Sequence, residues 1–223
     1  LASGDVARAL AAAQGDAPVL QLQRVYLLTL QRKYKTSLTL LAGIPDTPDN
    51  FSANSGSKAL QQADLYRLMG DGARAKPLFE QALPLARAQL TAQAGNARNE
   101  SEVWGTVADA ELGLGHTAAG LAAITHSQAL ITRAHDHEYG PTQMELNAQI
   151  YAEAHRPDLA VPLLAKALTS PGIGYSYSPV LLWFDPVWDP IRHDPRFQAL
   201  LKKYAKYKPT PAATAPASTT IGR

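Results

Sequence analysis

Alternating small and large residues recur along this 223-residue chain at fixed helical offsets, and that recurrence constrains the fold more than any other feature. The clearest copy runs Ala63, Tyr66, Gly70, Ala75, Phe79, Ala82, then Leu83, with steps of three, four, five, four and three. Residues three or four apart share one helical face, so Ala63 and Tyr66 line one helix while Ala75, Phe79 and Ala82 line the next. Gly70-Asp71-Gly72 breaks the chain between them. Alanines let two helix backbones approach, and each aromatic ring fills the space left by the small residue opposite. The spacing therefore predicts a pair of antiparallel helices joined by a tight turn.

The same steps recur at Ala148, Tyr151, His155, Ala160, Leu164 and Ala167, followed by Leu168 and closed by Pro171. A third copy reads Ala108, Glu111, Gly115, Gly120, Ile124, Ser127, with Trp104 four residues before its first alanine. The most degenerate copy is Val25, Leu28, Arg32, Ser37, Leu41, Ile44. Self-similarity at this density predicts an all-α superhelix of stacked hairpins, at about 18–51, 56–93, 100–135 and 141–171. Linkers rich in Pro, Asn, Ser and Gly, Pro45 to Ser57 and Ala94 to Glu100, separate the first three. Gly4, Ala9 and Ala13 repeat the spacing of a second helix, so residues 1–17 read as a partial repeat of a longer protein. The whole of 1–207 is expected to form one domain, and the Ala/Pro/Thr-rich stretch 208–223 a disordered tail.

Between 180 and 207 the chain reads Leu182-Trp183-Phe184-Asp185-Pro186, Trp188-Asp189-Pro190 and Asp194-Pro195-Arg196-Phe197. An aspartate before a proline suits a helix start, because its carboxylate accepts an orphan N–H and proline needs no donor in the first turn. Phe197, Leu200, Leu201 and Tyr204 then fall on one stripe, with Lys202, Lys203 and Lys206 near the C-terminal end, where cations favour the helix dipole. A capping helix over the last repeat is expected.

The hairpin spacing resembles the tetratricopeptide family, whose unit is about 34 residues of helix, turn and helix, over most of residues 18–171. The Asp-Pro and Trp pattern of the ending looks like the close of helical-repeat regions at the C-termini of bacterial signalling proteins, behind a Ser/Thr kinase, winged-helix or nucleotide-cyclase part. That likeness implies a scaffold or sensor module, with the periplasmic side of the inner membrane slightly preferred over the cytoplasm. The tetratricopeptide resemblance also implies a concave groove lined by the first helix of each hairpin. Its groove-facing positions map onto Tyr26, Asp64, Arg67, Glu102, Asp109, Glu145, Gln149 and Glu153. Most are acidic, so charge complementarity favours a basic or neutral polypeptide. The lysines and asparagines that chaperone-tail receptors of the family use at these positions are not in this set.

Composition narrows the alternatives. A net charge of +2 is too small for a broad phosphate-neutralising surface, so no nucleic-acid partner is expected. The chain has no cysteine, which removes thiolate nucleophiles, thiolate zinc sites and iron–sulfur clusters. No stretch approaches the roughly 20 apolar residues that span a bilayer, so direct membrane insertion is not expected. Phosphate-cradling loops, nucleophile elbows and helical His-Glu-x-x-His motifs do not occur, so no cofactor and no catalytic activity are expected. His135-Asp136-His137-Glu138 alone resembles a metal-ligand cluster, but alternate residues on a helix do not converge, and a solvated helix end accounts for it. Asp185, Asp189 and Asp194 are explained as helix caps, Ser101 as an N-cap, and Arg24, Arg32, Lys33 and Lys35 as a solvated basic patch. Two further readings stay open: a small-ligand pocket built from Tyr175, Tyr177, Trp183 and Trp188, and homo-oligomerisation through the apolar face of residues 5–14.

Overall fold

A computed structural model of the chain describes residues 5–51, 56–134, 139–170 and 177–209. Among these residues the fold is all-helical, without strands. Helices pair in chain order: α2 (Pro18–Leu30) with α3 (Tyr34–Gly43), α4 (Lys58–Leu68) with α5 (Gly72–Ala92), α6 (Ala97–Gly113) with α7 (Thr117–Ala134), and α8 (Gly140–Glu153) with α9 (Pro157–Thr169). A short α1 (Val6–Ala12) packs on α2, and α10 (Pro195–Lys203) packs on α9. Successive hairpins stack, α3 on α4, α5 on α6 and α7 on α8.

The recurring positions are where the helices meet. Ala63, Ala108 and Ala148 have no solvent exposure, and the large residues of the second helices, Leu41, Phe79, Ile124 and Leu164, are equally enclosed. Two copies carry serine in place of a small apolar residue. Ser37 Oγ donates to the Val25 carbonyl at 3.2 Å and Ser127 Oγ to the Ser101 carbonyl at 2.7 Å, so each buried hydroxyl stitches neighbouring helices together. Glu111 replaces the large first-helix residue in the third copy. It is buried, and Arg87 at 2.6 Å and His116 at 2.8 Å supply its partners.

All four hairpin turns have one geometry. Each first helix ends in a residue at left-handed φ, Arg32 (59°), Gly70 (74°), Gly115 (82°) and His155 (54°), at the third position of each sequence copy. Each turn closes with the same six-residue hydrogen bond, Lys33 N–H to Leu28 O, Asp71 N–H to Tyr66 O, His116 N–H to Glu111 O and Arg156 N–H to Tyr151 O, all at 2.9 Å. This is a Schellman closure, which satisfies the last carbonyls of the helix and favours glycine at the left-handed residue. Two turns have it and two do not.

The third helix pair begins earlier than the linker composition suggests. Asn96 caps α6 by accepting from Asn99 N–H at 3.2 Å, so Ser101 lies inside the helix rather than at its cap. Gly4, His135 to Glu138, Pro171, Tyr175 and the tail from 210 onward lie outside the described residues.

At His155, exposed and without glycine's freedom at positive φ, the backbone carries strain of about 1 kcal/mol. His155→Gly is expected to raise stability by roughly 0.5 kcal/mol after the added entropy of the unfolded chain, and Gly70→Ala to lower it by about 1 kcal/mol. A Cβ at Gly70 meets no atom within 4 Å, so urea denaturation of that variant measures backbone strain without a packing contribution.

Candidate functional site

The first helices α4, α6 and α8 contact one another on a shared concave side. Arg67 sits at their meeting point. Its guanidinium nitrogens lie 2.9 Å from Asp64 and 2.9 Å from Asp109, and 2.8 Å from Glu153. One side chain of α4 thus reaches carboxylates on α4, α6 and α8, and its guanidinium also lies 5.5 Å above the Phe79 ring.

The C-terminal segment does more than cover the last hairpin. The 3-10 turn Pro179–Trp183 buries Val180, Leu181 and Leu182 in the core, and the next, Pro186–Ile191, packs on α8 and borders the concave side. There Tyr26 of α2 donates its hydroxyl to Asp185 at 3.2 Å, and Arg32 grips Asp189 with two bonds of 2.6 and 2.9 Å. Arg192 locks the strap from within. It donates to Asp189 at 2.9 Å and to the carbonyls of Leu182, Trp183 and Asp185 at 2.8–3.0 Å. The first hairpin is thereby joined to the chain's end, and the concave face becomes a chamber of about 320 Å³ walled by α2, α4, α6, α8 and the strap.

Seven of the eight anticipated groove positions line this chamber: Tyr26, Asp64, Arg67, Glu102, Asp109, Gln149 and Glu153. Glu145 does not. It is buried, accepts a hydrogen bond from Gln149, and lies close enough to Asp185 to feel its charge. The strap borders the concave groove that the resemblance implies, with Asp185, Pro186 and Val187 in its lining.

Other anticipated sites resolve differently. Trp188 is fully enclosed, stacks 5.7 Å from Phe197 and donates its indole N–H to the buried Tyr177 hydroxyl at 2.9 Å. These rings fill one another's space beside the half-buried Trp183, so the described members of the proposed aromatic pocket are core. Asp185 and Asp194 do cap, accepting from Val187 and Arg196 N–H at 3.1 and 2.8 Å. Asp189 instead lies within a 3-10 turn and bridges two arginines, and Arg32, one of them, stays exposed with Lys33 and Lys35 as the solvated patch requires. The apolar side of α1, with Val6, Ala9 and Leu10, packs on the chain's own core. Among the described residues no three His, Asp or Glu side chains are grouped to hold a metal, and no helix is long and apolar enough to cross a membrane.

The chamber's charges are unbalanced. Among its described lining residues Arg67 is the sole cation, against Asp64, Glu102, Asp109, Glu153 and Asp185. Burial raises the Glu153 carboxyl to about 8, a rise that Arg67 opposes and Asp109 reinforces. Asp64 is pushed well above the ordinary range by burial and by Asp109. Burial also raises Asp185 to about 6 in spite of its bonds to Val187 and Tyr26, and raises Glu145 to about 8 with help from the Asp185 charge. Glu102 is raised by burial as well. Removing water from a carboxylate disfavours its charged form, and like charges nearby add to the effect.

Several acceptors in this region have no donor among the described residues: both carboxylate oxygens of Glu102, one of Glu153, and the amide oxygen of Gln143. Gln143 is held by a buried network in which its amide N–H donates to Asn147 Oδ1 at 3.1 Å, and Asn147 donates to Gln128 at 3.3 Å. Sequence reasoning passed over three residues here. Asp185 was absorbed by its capping role, and Gln143 lies outside the repeat positions. Gly105 sits three residues before Ala108, where the second copy has Leu60 and the fourth Glu145, and that drop in size was the available signal.

Comparison with protein-family models, with characterised proteins and with solved structures returns no match.

Arg67→Ala leaves three crowded carboxylates without a cation and is expected to cost roughly 3 kcal/mol at pH 7.5. The loss should grow at pH 9, where Glu153, held at about 8 in the folded protein, has given up its proton and lacks the guanidinium that favours its charged form, and chemical denaturation at the two pH values checks this. For Glu145 the folded-state value of about 8 lies above the unfolded value near 4.5. The folded protein therefore holds a proton that the unfolded chain releases, and stability declines as pH rises from about 4.5 to 8. Glu145→Gln should flatten that decline, leaving stability at pH 5 unchanged and raising it at pH 7.5 by on the order of 1–3 kcal/mol, read as thermal midpoints across the range.

Proposed function

We propose that this chain is a non-catalytic binding module of the tetratricopeptide kind, which holds a cationic group of a protein partner in the acidic chamber on its concave side. The observation that carries this reading is the charge imbalance of the lining, five carboxylic acids against the one guanidinium of Arg67 among the described residues. A ligand bearing positive charge relieves their mutual repulsion and replaces the water they have lost, whereas an anion would add to the repulsion.

The strap refines the kind of partner. An extended peptide laid along a repeat groove needs that groove open from end to end, and here Asp185, Pro186 and Val187 form part of the chamber wall. A basic side chain inserted from a partner's surface suits a walled recess of about 320 Å³ better than a length of backbone does. The bacterial signalling setting implied by the Asp-Pro and Trp ending belongs to this proposal.

The test is titration of the chain with penta-lysine, penta-arginine and penta-glutamate by calorimetry. At least one basic peptide is expected to bind, with affinity falling as salt rises from 50 to 300 mM, about the range over which screening becomes strong, and the acidic peptide is expected not to bind. Equal binding of the acidic peptide, or no binding of either basic one, sinks the reading.

A further inference from the structure

Charge is segregated along this chain. All nineteen acidic residues lie before Pro195, together with fifteen of the twenty-one basic ones, whereas from Pro195 onward there are six basic residues and no acidic one. The net charge of +2 therefore hides an acidic body and a basic end. Four of those six, Lys202, Lys203, Lys206 and Lys208, fall within seven residues, and all four are exposed.

The fold turns these lysines away from the protein. α10 buries Phe197 and Leu200 and packs on α9. Lys202 and Lys203 come five and six residues after Phe197, which places them on the opposite side of the helix. Lys206 lies in the short 3-10 turn Ala205–Tyr207, and Lys208 follows it. Cations in the last turn of a helix complement its dipole, which accounts for Lys202 and Lys203 alone. Lys206 and Lys208 stand beyond the helix, and no described carboxylate pairs with any of the four, whereas Arg196 in the first turn lies 3.5 Å from Asp194. What the lysines meet instead is aromatic. The Lys203 ammonium lies 5.6 Å from the centre of the Tyr204 ring, and that of Lys206 lies 4.9 Å from the centre of the Tyr207 ring. Tyr207 is 39% exposed and tilted against Tyr204, with ring centres 6.1 Å apart.

We propose that the outer face of this end, Lys202, Lys203, Lys206 and Lys208, is a peripheral docking surface for an anionic lipid bilayer. Each unpaired lysine brought near such a surface strengthens binding about fivefold at physiological salt, and no shaped pocket is needed. An exposed tyrosine beside them suits the boundary between lipid and water, where its ring and its hydroxyl are both accommodated. Two features favour lipid over nucleic acid. All four cations are lysines, compact point charges rather than the planar forks that grip phosphates in register. The Tyr207 ring already has Lys206 over it and Tyr204 beside it, which leaves a base little room to stack. The acidic body does not oppose the contact, because charges more than about 8 Å from the bilayer are screened at physiological salt. The contact is peripheral, since no described helix is long and apolar enough to cross a membrane. It is independent of the chamber on the concave side.

The test is co-sedimentation of the whole chain with vesicles of phosphatidylcholine alone and of phosphatidylcholine carrying about 30% phosphatidylglycerol, at salt concentrations of about 50 and 300 mM. Wild type is expected to bind the anionic vesicles at low salt, to bind them more weakly at high salt, and to leave the neutral ones unbound. Lys202→Gln with Lys203→Gln, and separately Lys206→Gln with Lys208→Gln, should each weaken binding about tenfold or more. The second pair lies outside α10 and should leave the thermal midpoint unchanged, so its effect reads the surface charge apart from helix stability. Absence of binding to anionic vesicles, equal binding to neutral ones, or undiminished binding by either lysine pair overturns the proposal. Tighter binding of a single-stranded oligothymidylate at equal phosphate concentration also overturns it, and assigns the face to nucleic acid instead.

Discussion

Arg67 shares one guanidinium among Asp64, Asp109 and Glu153, and through them it ties the first helices of the second, third and fourth hairpins into one concave surface. Stacked hairpins contact chiefly their sequence neighbours, so curvature in such folds is set by small rotations between adjacent units. A side chain that bridges three hairpins at once constrains that curvature directly. It also concentrates negative charge, because three carboxylates cannot all be neutralised by a single cation in a site poor in water. The raised proton affinities of Asp64 and Glu153 come first from burial and then from the neighbouring carboxyl groups, with Arg67 opposing the rise.

The second constraint is the strap. Pairs such as Tyr26 with Asp185 and Arg32 with Asp189 join residues 159 and 157 positions apart in the chain. They bring the strap against the concave side of the repeats, where Asp185, Pro186 and Val187 add a wall to the cavity. Arg192 makes this possible by satisfying three carbonyls of a segment whose short 3-10 turns leave backbone acceptors unpaired. Glu145 and Asp185 lie side by side beneath the crossing, so the seam between strap and repeats is itself acidic and responds to pH.

Much of the fold was legible from spacing. Ala63, Tyr66 and Gly70 announce their helix, face and turn because a helical face repeats every three to four residues and a Schellman closure favours glycine. Even the degenerate first copy kept its register, with Arg32 in the left-handed position that glycine holds in two other turns. Within the candidate site, spacing placed Asp64, Arg67, Glu102, Asp109 and Glu153 on one side, since they occupy corresponding faces of the first helices. Glu145 departed from that pattern because what covers it comes from residues 179–191, and nothing in its own helix announces a strap arriving from elsewhere. Tyr177 and Trp188 were ambiguous for a related reason: an aromatic ring reads the same in sequence whether it is packed or exposed, and its neighbours decide which.

What the sequence by itself determined is the local and near-neighbour structure: an all-α chain, four hairpins in register, their turns, and an acidic bias on the first-helix face. Those properties depend on residues a few positions apart, and helical periodicity records them. What only the tertiary structure decided is how the strap borders the concave side, which carboxylates share Arg67 and which are left without donors. These depend on contacts between segments distant in the chain, which no short-range spacing encodes.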